Sequence, residues 1–136
     1  MKIKLDDHGI LPTRAHDTDA GLDLYSPYTT KIGARRFKKI NTGVHIQLPK
    51  GTVGFIKSKS GLMSKCGILT DGTIDEGYTG EISIVLFNFG GQTYKIEAYD
   101  KIAQLVIVPV SYEKLEICDR LEESDRGNDG FGSTGR

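Results

Sequence analysis

The sequence predicts an all-β fold, and three observations support this prediction. Of 136 residues, 14 are Ile, 6 are Val and 11 are Thr, whereas only five are Ala; β-branched side chains favour strands over helices. The 17 glycines recur every few residues and leave few segments long enough for a stable helix. Apolar and polar residues alternate in several short segments, with turn signals at the spacing typical of a sandwich of roughly ten strands.

The predicted strands follow this alternation along the chain. Residues 44–48 alternate before the turn signal at 49–51, and apolar residues 53–56 follow, which predicts a β-hairpin. Residues 82–89 are apolar on both faces over much of their length and predict a buried central strand. Further short strands are predicted over residues 96–98, 102–110 and 114–118, and one short helical turn over residues 60–66.

Length and charge exclude several classes of protein. A chain of 136 residues and 14.9 kDa fits one compact domain. Eighteen basic residues balance eighteen acidic ones, which argues against a nucleic-acid partner because coating nucleic acid needs a large positive field. The balance is not local, since residues 31–65 carry nine basic side chains and no Asp or Glu. The neutral total therefore contains a cationic centre.

The chain shows no membrane or secretion signal. Its first residues alternate charged and apolar side chains, and its longest apolar runs are far shorter than a membrane span. The only cysteines, Cys66 and Cys118, make no disulfide framework and no zinc-ligand spacing. We therefore expect free thiols in a cytoplasmic protein without a membrane partner.

The C-terminal residues differ in composition from the rest. Residues 122–136 are rich in Gly and charge, with Phe131 as their only large apolar side chain. We therefore predict a β domain over residues 1–121 and a flexible arm over 122–136. In such an arm Arg126 could pair with a phosphate and Phe131 could stack on a base; the alternative is a disordered tail with one stray aromatic residue.

Four other segments contain candidate functional residues. Asp23 lies in an apolar stretch, where it is either a functional carboxylate or simply points to solvent. Residues 58–61 resemble a small phosphate nest, although a polar loop has the same composition. Residues 72–80 predict a tight hairpin in which Asp75 and Tyr78 are either a general base and a stacking wall or ordinary turn residues.

The fourth segment contains Gln104, whose amide lies in an otherwise apolar strand. A buried amide must be hydrogen-bonded, and its partner could be a ligand, a water molecule or the backbone.

Together, these segments resemble the five motifs of the trimeric deoxyuridine triphosphate nucleotidohydrolases (dUTPases), and they occur in the family's order. The motifs are residues 20–24, Ser60-Gly61 after Lys59, residues 72–80, residues 100–105 and residues 126–135. The third and fifth are the most specific, and the resemblance covers nearly the whole chain.

The resemblance implies a jelly-roll-like β domain that forms a homotrimer, with each active site built from more than one subunit. The substrate would be dUTP with Mg²⁺, cleaved between the α and β phosphates to dUMP and pyrophosphate. This reaction lowers dUTP and supplies dUMP for thymidylate synthesis.

The resemblance also implies a role for each motif residue. Asp75 matches the general base, and Gln104 matches the group that helps to hold the water and the α-phosphate. Tyr78 matches the residue that packs on the deoxyribose and excludes a 2′-hydroxyl. The remaining matches are Asp23 for the metal through water; Lys59, Ser60 and Gly61 for phosphate; Thr73 and Ile74 for the base; Arg126 for the γ-phosphate; Phe131 for base stacking; and Gly132, Ser133 and Thr134 along the phosphates.

The chain departs from the family pattern in three places. Lys59 replaces the usual Arg, which keeps the charge but loses bidentate geometry. Residues 67–71 lack the Asn that many relatives have near the uracil, so Thr70 or Asp71 is an alternative contact beside the backbone of residues 73–75. Residues 99–101 read Tyr-Asp-Lys instead of Gly-Asp-Arg, which we expect to be tolerated.

Two alternative functions are open at this point. A deoxycytidine triphosphate deaminase has the same fold, and Glu81 lies near the position of its catalytic Glu. A dUTP-sensing protein could instead use closure of the arm to signal to a regulatory partner.

Overall fold

A computed structural model describes residues 1–124 and 127 and confirms the all-β prediction, as a sandwich of antiparallel sheets. Ten strands and one helix lie within these residues. In chain order they are β1 (Lys2–Leu5), β2 (Gly21–Tyr25), β3 (Thr30–Ile32), β4 (Phe37–Gln47), β5 (Thr52–Lys57), α1 (Ser60–Cys66), β6 (Ile68–Leu69), β7 (Asp71–Ile74), β8 (Glu81–Asn88), β9 (Tyr94–Ile96) and β10 (Lys101–Pro109).

The strands form two four-stranded sheets and one two-stranded ribbon. The first sheet has the order β1-β4-β8-β6, the second has the order β2-β10-β5-β7, and β3 pairs with β9. Consecutive strands often belong to different sheets, so the chain crosses repeatedly from one layer to the other.

The core lies between the two sheets and is built mainly from Ile and Leu. On β8 the buried side chains alternate, with Ile82, Ile84 and Leu86 almost inaccessible to solvent. Leu105 on β10 and Ile56 on β5 face them from the second sheet. Burying each such side chain contributes about 1.5–3 kcal/mol, so the alternation largely fixes which face of each strand points inward.

The predicted hairpin over residues 44–56 is wrong. The residues form β4 and β5, but β4 pairs with β1 and β8, whereas β5 pairs with β10 and β7. The turn between them, with Gly51 at φ 72°, carries the chain from one sheet to the other. Alternation predicts a strand but does not identify its partner.

The strand predicted over residues 82–89 is central, between β4 and β6, but only one of its faces is buried. Phe87 is 46% exposed and packs against Phe37 at 5.7 Å and Phe89 at 6.1 Å between ring centroids. An aromatic cluster on the outer face therefore made the segment resemble a doubly buried strand.

The short helix is confirmed as α1, and it ends at a glycine cap. Gly67 has φ 65° and donates its N–H to the Met63 carbonyl at 3.1 Å, which is the usual left-handed ending of a helix. No helix in the described part of the chain is long and apolar enough to span a membrane.

The strand predicted over residues 114–118 is absent. Leu115 and Ile117 are 99% and 100% exposed, and this segment pairs with no other described residue. Its apolar alternation is suited to a strand, but a strand needs a neighbour to satisfy its backbone groups.

Candidate active site

One group of predicted residues surrounds Asp23 in the second sheet. Asp23 lies on β2 and is only 6% exposed, which rules out the alternative that it simply points to solvent. Lys59 Nζ donates to its Oδ1, and Lys101 Nζ donates to its Oδ2 at 2.8 Å. We call Asp23, Lys59, Lys101 and Gln104 the Asp23 cluster.

Asp23 is ionised at neutral pH because its hydrogen bonds lower its pKa by more than burial raises it. Burial raises the pKa of Asp23, but the hydrogen bonds from Lys101 and Lys59 outweigh it and hold that pKa below its ordinary value. The hydrogen bond between Lys101 and Asp23 also raises the pKa of Lys101. The cluster therefore combines one negative charge with two positive charges, and its net charge is positive.

Gln104 lies in the centre of the second sheet, opposite Asp23 on β2 and Lys57 on β5. Its Nε2 donates to the Ser58 carbonyl at 3.2 Å, so the backbone provides one partner for the amide. A Cβ at Gly21 would clash with Gln104 Oε1. Gly21 thus makes room for the Gln104 side chain, which explains why the 20–24 motif has a glycine at this position.

Lys59, Ser60 and Gly61 lie where β5 leads into α1. Ser60 and Gly61 are exposed at the first turn of the helix, and nothing lies within 4 Å of a Cβ built at Gly61. Lys59 occupies the N-cap position but cannot cap the helix, because its ammonium group has no acceptor for a backbone N–H; it donates instead to Asp23. An ammonium group makes this contact as a point charge, without the two-pronged geometry of Arg.

The second group of predicted residues lies on the turn formed by residues 75–80. The prediction of a hairpin over residues 72–80 is wrong, because β7 belongs to the second sheet and β8 to the first. The 75–80 turn crosses between the sheets and is closed by a hydrogen bond from Tyr78 N to the Asp75 carbonyl at 3.0 Å. The Asp75 side chain is exposed and accepts no hydrogen bond from the described residues.

Tyr78 is fixed at its hydroxyl end. Its hydroxyl donates to the Glu81 carbonyl at 2.9 Å, so the ring folds back over the turn and remains 44% exposed. A Cβ at Gly80 would lie 2.5 Å from the Tyr78 hydroxyl oxygen, so only glycine fits beneath the ring. A depression of about 280 Å³ beside it is lined by Lys39, Thr73, Ile74, Asp75, Tyr78, Glu81 and Ser83.

Glu76 supports the same turn from behind, a role that the sequence did not indicate. Its Oε2 accepts hydrogen bonds from the Gly51 N–H and the Tyr112 hydroxyl, each at 2.8 Å. The hydrogen bond from Gly51 lowers the pKa of Glu76 most, and the hydrogen bond from Tyr112 lowers it further. Glu76 in turn raises the pKa of Tyr112. The turn is thereby tied to the loop after β4 and to the segment after β10.

Thr70 and Asp71, the alternative uracil contacts, have different surroundings. Asp71 forms an exposed ion pair with Lys57 through one of its two carboxylate oxygens. Thr70 is 6% exposed, and its hydroxyl is the one buried side-chain polar atom that lacks a partner among the described residues. The Thr70 hydroxyl is therefore unpaired among the described residues but shielded from solvent, whereas the second Asp71 oxygen is accessible.

The Asp23 cluster and the 75–80 turn lie at opposite ends of β5. Ile74, which precedes the turn, pairs with Gly54 near the start of β5, whereas Lys59 follows the end of that strand. Lys59 lies five positions after Gly54, which corresponds to about 16 Å of extended chain. No hydrogen bond or ion pair joins the two groups in the described part of the chain.

Comparisons with known proteins agree with the motif pattern. The dUTPase family model matches residues 7–135. The chain belongs to the dUTPase family. It is 47% identical to the deoxyuridine 5′-triphosphate nucleotidohydrolase of Clostridium novyi, over 97% of this chain and 95% of that protein.

Solved dUTPase structures share the fold. A mutant dUTPase of Staphylococcus bacteriophage 80alpha, with dUpNHpp, has a TM-score of 0.93 and 32% identity over 99% of this chain and 98% of that one. A mutant dUTPase of Staphylococcus aureus phage phi11, described as coordinating a structural Mg(II) ion, has a TM-score of 0.84 and 30% identity over 90% and 98% of the two chains. The predictions of a dUTPase fold and of a dUTP nucleotidohydrolase are confirmed.

The chain's own carboxylates do not form a metal cage. No group of three or more His, Cys, Asp or Glu side chains that could hold a metal ion occurs within residues 1–124 and 127. Asp23 is the one predicted ligand, and both of its oxygens already face ammonium groups. This donor set fits Mg²⁺ only as an ion that keeps its waters and is held mainly by substrate phosphates.

The predicted arm residues lie outside the described residues. They are Arg126, Phe131, Gly132, Ser133 and Thr134. The division into a domain over residues 1–121 and an arm over residues 122–136 therefore stays a prediction.

Proposed function

We propose that this dUTPase hydrolyses dUTP to dUMP and pyrophosphate, with Asp75 as the general base for the attacking water. The observation that carries this proposal is the 75–80 turn. It combines an exposed carboxylate that accepts no described hydrogen bond with a tyrosine ring held in place beside it. A base needs a free oxygen, and a positioned substrate supplies much of the acceleration.

The proposed reaction needs no covalent intermediate. Asp75 takes a proton from water, and the water oxygen bonds to the α-phosphorus. The bond from that phosphorus to the oxygen bridging to the β-phosphate breaks, and pyrophosphate leaves with the electron pair. Gln104 helps to hold the water and the α-phosphate, since one amide N–H and the carbonyl oxygen are still available after its bond to Ser58.

In this proposal the Asp23 cluster receives the phosphates. The Lys59 ammonium has three N–H donors, of which Asp23 uses one, so two can reach phosphate oxygens. Ser60 and Gly61 add a hydroxyl and backbone N–H groups at an exposed position. Asp23 restrains both lysines before the substrate binds, so that less side-chain entropy is lost on binding.

The nucleoside lies on the turn in the same proposal. The Tyr78 ring packs on the deoxyribose and leaves no room for a 2′-hydroxyl, while the backbone at Thr73 and Ile74 contacts the uracil. These residues and Asp75 line one depression of about 280 Å³. The general base Asp75 and the attacking water therefore approach the same part of the nucleotide.

A homotrimer supplies both halves of each site. The two halves lie about 16 Å apart along β5 in one chain, too far for one α-phosphate to contact both. In a trimer the turn of one subunit faces the Asp23 cluster of the next. The exposed apolar side chains of Leu115, Ile117 and Leu121 support an assembly that covers them.

Asp23 would hold Mg²⁺ through water. When bound, Mg²⁺ offsets the negative charge of the triphosphate against an incoming water. Lys59 and Lys101 keep Asp23 ionised for this role, as the lowered pKa of Asp23 indicates.

The arm completes the site in the proposal, on the basis of the family resemblance. Arg126 would clamp the γ-phosphate, Phe131 would stack on the uracil, and Gly132, Ser133 and Thr134 would line the phosphates. Closure of the arm would exclude bulk water from the reaction.

Deoxycytidine triphosphate deamination is less well supported. Glu81, its candidate catalytic residue, uses Oε1 to accept the Gly43 N–H at 2.8 Å, which commits the side chain to the fold. A dUTP-sensing role with a protein partner and a cytoplasmic location stay predictions from the sequence.

A pyrophosphate-release assay across dUTP, dCTP, dTTP and UTP, with and without Mg²⁺, tests the proposal. We expect rapid release from dUTP only, and strong dependence on Mg²⁺. Ammonia released from dCTP would contradict the proposal, and so would equal rates with UTP and dUTP, because Tyr78 would then not exclude a ribose.

A further inference from the structure

His45 connects the N-terminal strand to the 75–80 turn. It lies on β4, and its side chain is 20% exposed. Its Nε2 lies 2.9 Å from Asp6 Oδ2, and its Nδ1 lies 3.1 Å from the Thr79 carbonyl oxygen. Both ring nitrogens therefore contact an oxygen atom.

Both oxygens can only accept hydrogen bonds, which determines the protonation state that satisfies the site. A carbonyl oxygen and a carboxylate oxygen have no proton to donate, and a neutral imidazole has only one N–H. Only a ring protonated on both nitrogens satisfies Asp6 and Thr79 together. A neutral ring must lose one of the two bonds.

The charges around His45 favour the protonated ring. The Asp6 hydrogen bond, followed by the Thr79 carbonyl, raises the pKa of His45 against the opposing effects of burial and Lys4. Lys4 is its register partner on β1 and lies 3.3 Å from the other Asp6 oxygen. Glu81, its register partner on β8, is 3.5 Å from His8 Nε2.

Thr79 is a point at which His45 can hold the turn. It follows Tyr78 directly and precedes Gly80, on which the Tyr78 ring rests. The Tyr78 hydroxyl holds one side of this segment through Glu81, and the His45 ring holds the other side through the Thr79 carbonyl.

We propose that His45, protonated on both ring nitrogens, is a positioning residue for the 75–80 turn and holds it through the Thr79 carbonyl. This inference rests on the proposed function, in which the turn binds the nucleoside. When the ring becomes neutral, the turn loosens and dUTP binding weakens. The stabilisation is fully present below the ordinary pKa of histidine and is lost as the pH rises through the raised value.

The test follows three signals in the full-length protein across pH. In ¹³C-histidine NMR spectra without nucleotide, we expect His45 to titrate above the ordinary pKa of histidine, and the amide signals of residues 77–80 to shift with the same midpoint. The KM for dUTP should rise about three- to tenfold through that midpoint, as expected for one lost hydrogen bond, while kcat changes less.

Variants identify the group responsible. Asp6→Asn keeps an acceptor for Nε2 but removes the carboxylate, so the His45, amide and KM midpoints should all move to lower pH. His45→Gln should show the high KM at every pH. The matched control is Asp19→Asn, which removes the carboxylate 3.3 Å from the exposed His16 ring and should leave the His45, amide and KM midpoints unchanged.

The proposal is overturned if His45 titrates at or below the ordinary pKa of histidine, if the signals of residues 77–80 do not follow it, or if His45→Gln retains the pH dependence of KM. The NMR signals need no nucleotide and so separate the link to the turn from the proposed function. If the Asp75→Asn variant still hydrolysed dUTP, the proposed function would be overturned. That result would not affect what the NMR signals of His45 and residues 77–80 show about the turn.

Discussion

The Asp23 cluster lies in and beside the second sheet and pairs its carboxylate with two ammonium groups, whereas the 75–80 turn joins two sheets and leaves its carboxylate exposed. In the cluster Asp23 contacts both Lys59 and Lys101. In the turn the fixing contacts involve Glu76, Tyr78 and Thr79, and none involves the side chain of Asp75.

This difference shows how one chain provides both groups that bind phosphate and a group that acts as a general base. Groups that bind a triphosphate can be held by an opposite charge, because the phosphates bring further negative charge to them. A general base cannot be held in this way, since each hydrogen bond to its carboxylate would make it a weaker base. We therefore expect changes in the cluster to affect both stability and activity, and changes at Asp75 to affect activity alone.

Asp75→Asn should give the largest effect. Loss of the base should lower kcat by about 10²–10⁴-fold, while the free energy of unfolding changes by less than about 0.5 kcal/mol because the side chain is exposed. Pyrophosphate release and thermal unfolding measure the two quantities. Asp17→Asn, at another exposed carboxylate, serves as the control, and near-normal turnover by Asp75→Asn would rule out the base assignment.

Asp23→Asn should have a mixed effect. Two lysines lose their partner, so the free energy of unfolding should fall by about 1–3 kcal/mol, and turnover should fall with it. Because the pKa of Asp23 is lowered, the wild-type protein should keep this stabilisation above the ordinary pKa of Asp and lose it as the pH falls through the lowered value. Denaturant unfolding against pH measures it, and a variant as stable as wild type would show that the cluster is not a structural unit.

Tyr99→Gly should give the smallest effect and the opposite sign. Tyr99 has φ 72° in the 97–100 turn, shortly before Lys101 of the cluster, and a side chain in this conformation costs about 1–2 kcal/mol. Glycine removes that strain but adds unfolded-state entropy of about 0.5–1 kcal/mol, so we expect a gain of up to about 1 kcal/mol. Ala98→Gly, without positive φ, should instead destabilise; a loss of stability in Tyr99→Gly would contradict the strain.

The sequence predicted local features well and partners poorly. Alternation located β8 and β10, and small residues beside Leu62 and Met63 indicated α1. The same reasoning paired β4 with β5 and gave residues 114–118 a strand, because alternation reports which face is apolar but not which strand lies alongside. In residues 114–118 the apolar side chains are not covered by any described residue.

Motif order identified the family and the candidate residues, but not the groups that hold them. Alternation left open whether Asp23 points to solvent, because its burial depends on two lysines far away in sequence. Glu76 and His45 act through Tyr112 and Thr79, which lie more than thirty positions away in each case. No spacing rule connects such pairs, so only the fold could reveal them.

The central claim is that the active site is divided between chains, with the turn from one and the Asp23 cluster from another. Co-expression of two inactive variants, Asp75→Asn and Gln104→Ala, under separate purification tags tests it directly. If the variants assemble at random in equal amounts, about one quarter of the sites should combine an intact turn with an intact cluster. We predict pyrophosphate release near that fraction of the wild-type rate, and activity no higher than that of either variant alone would contradict the claim.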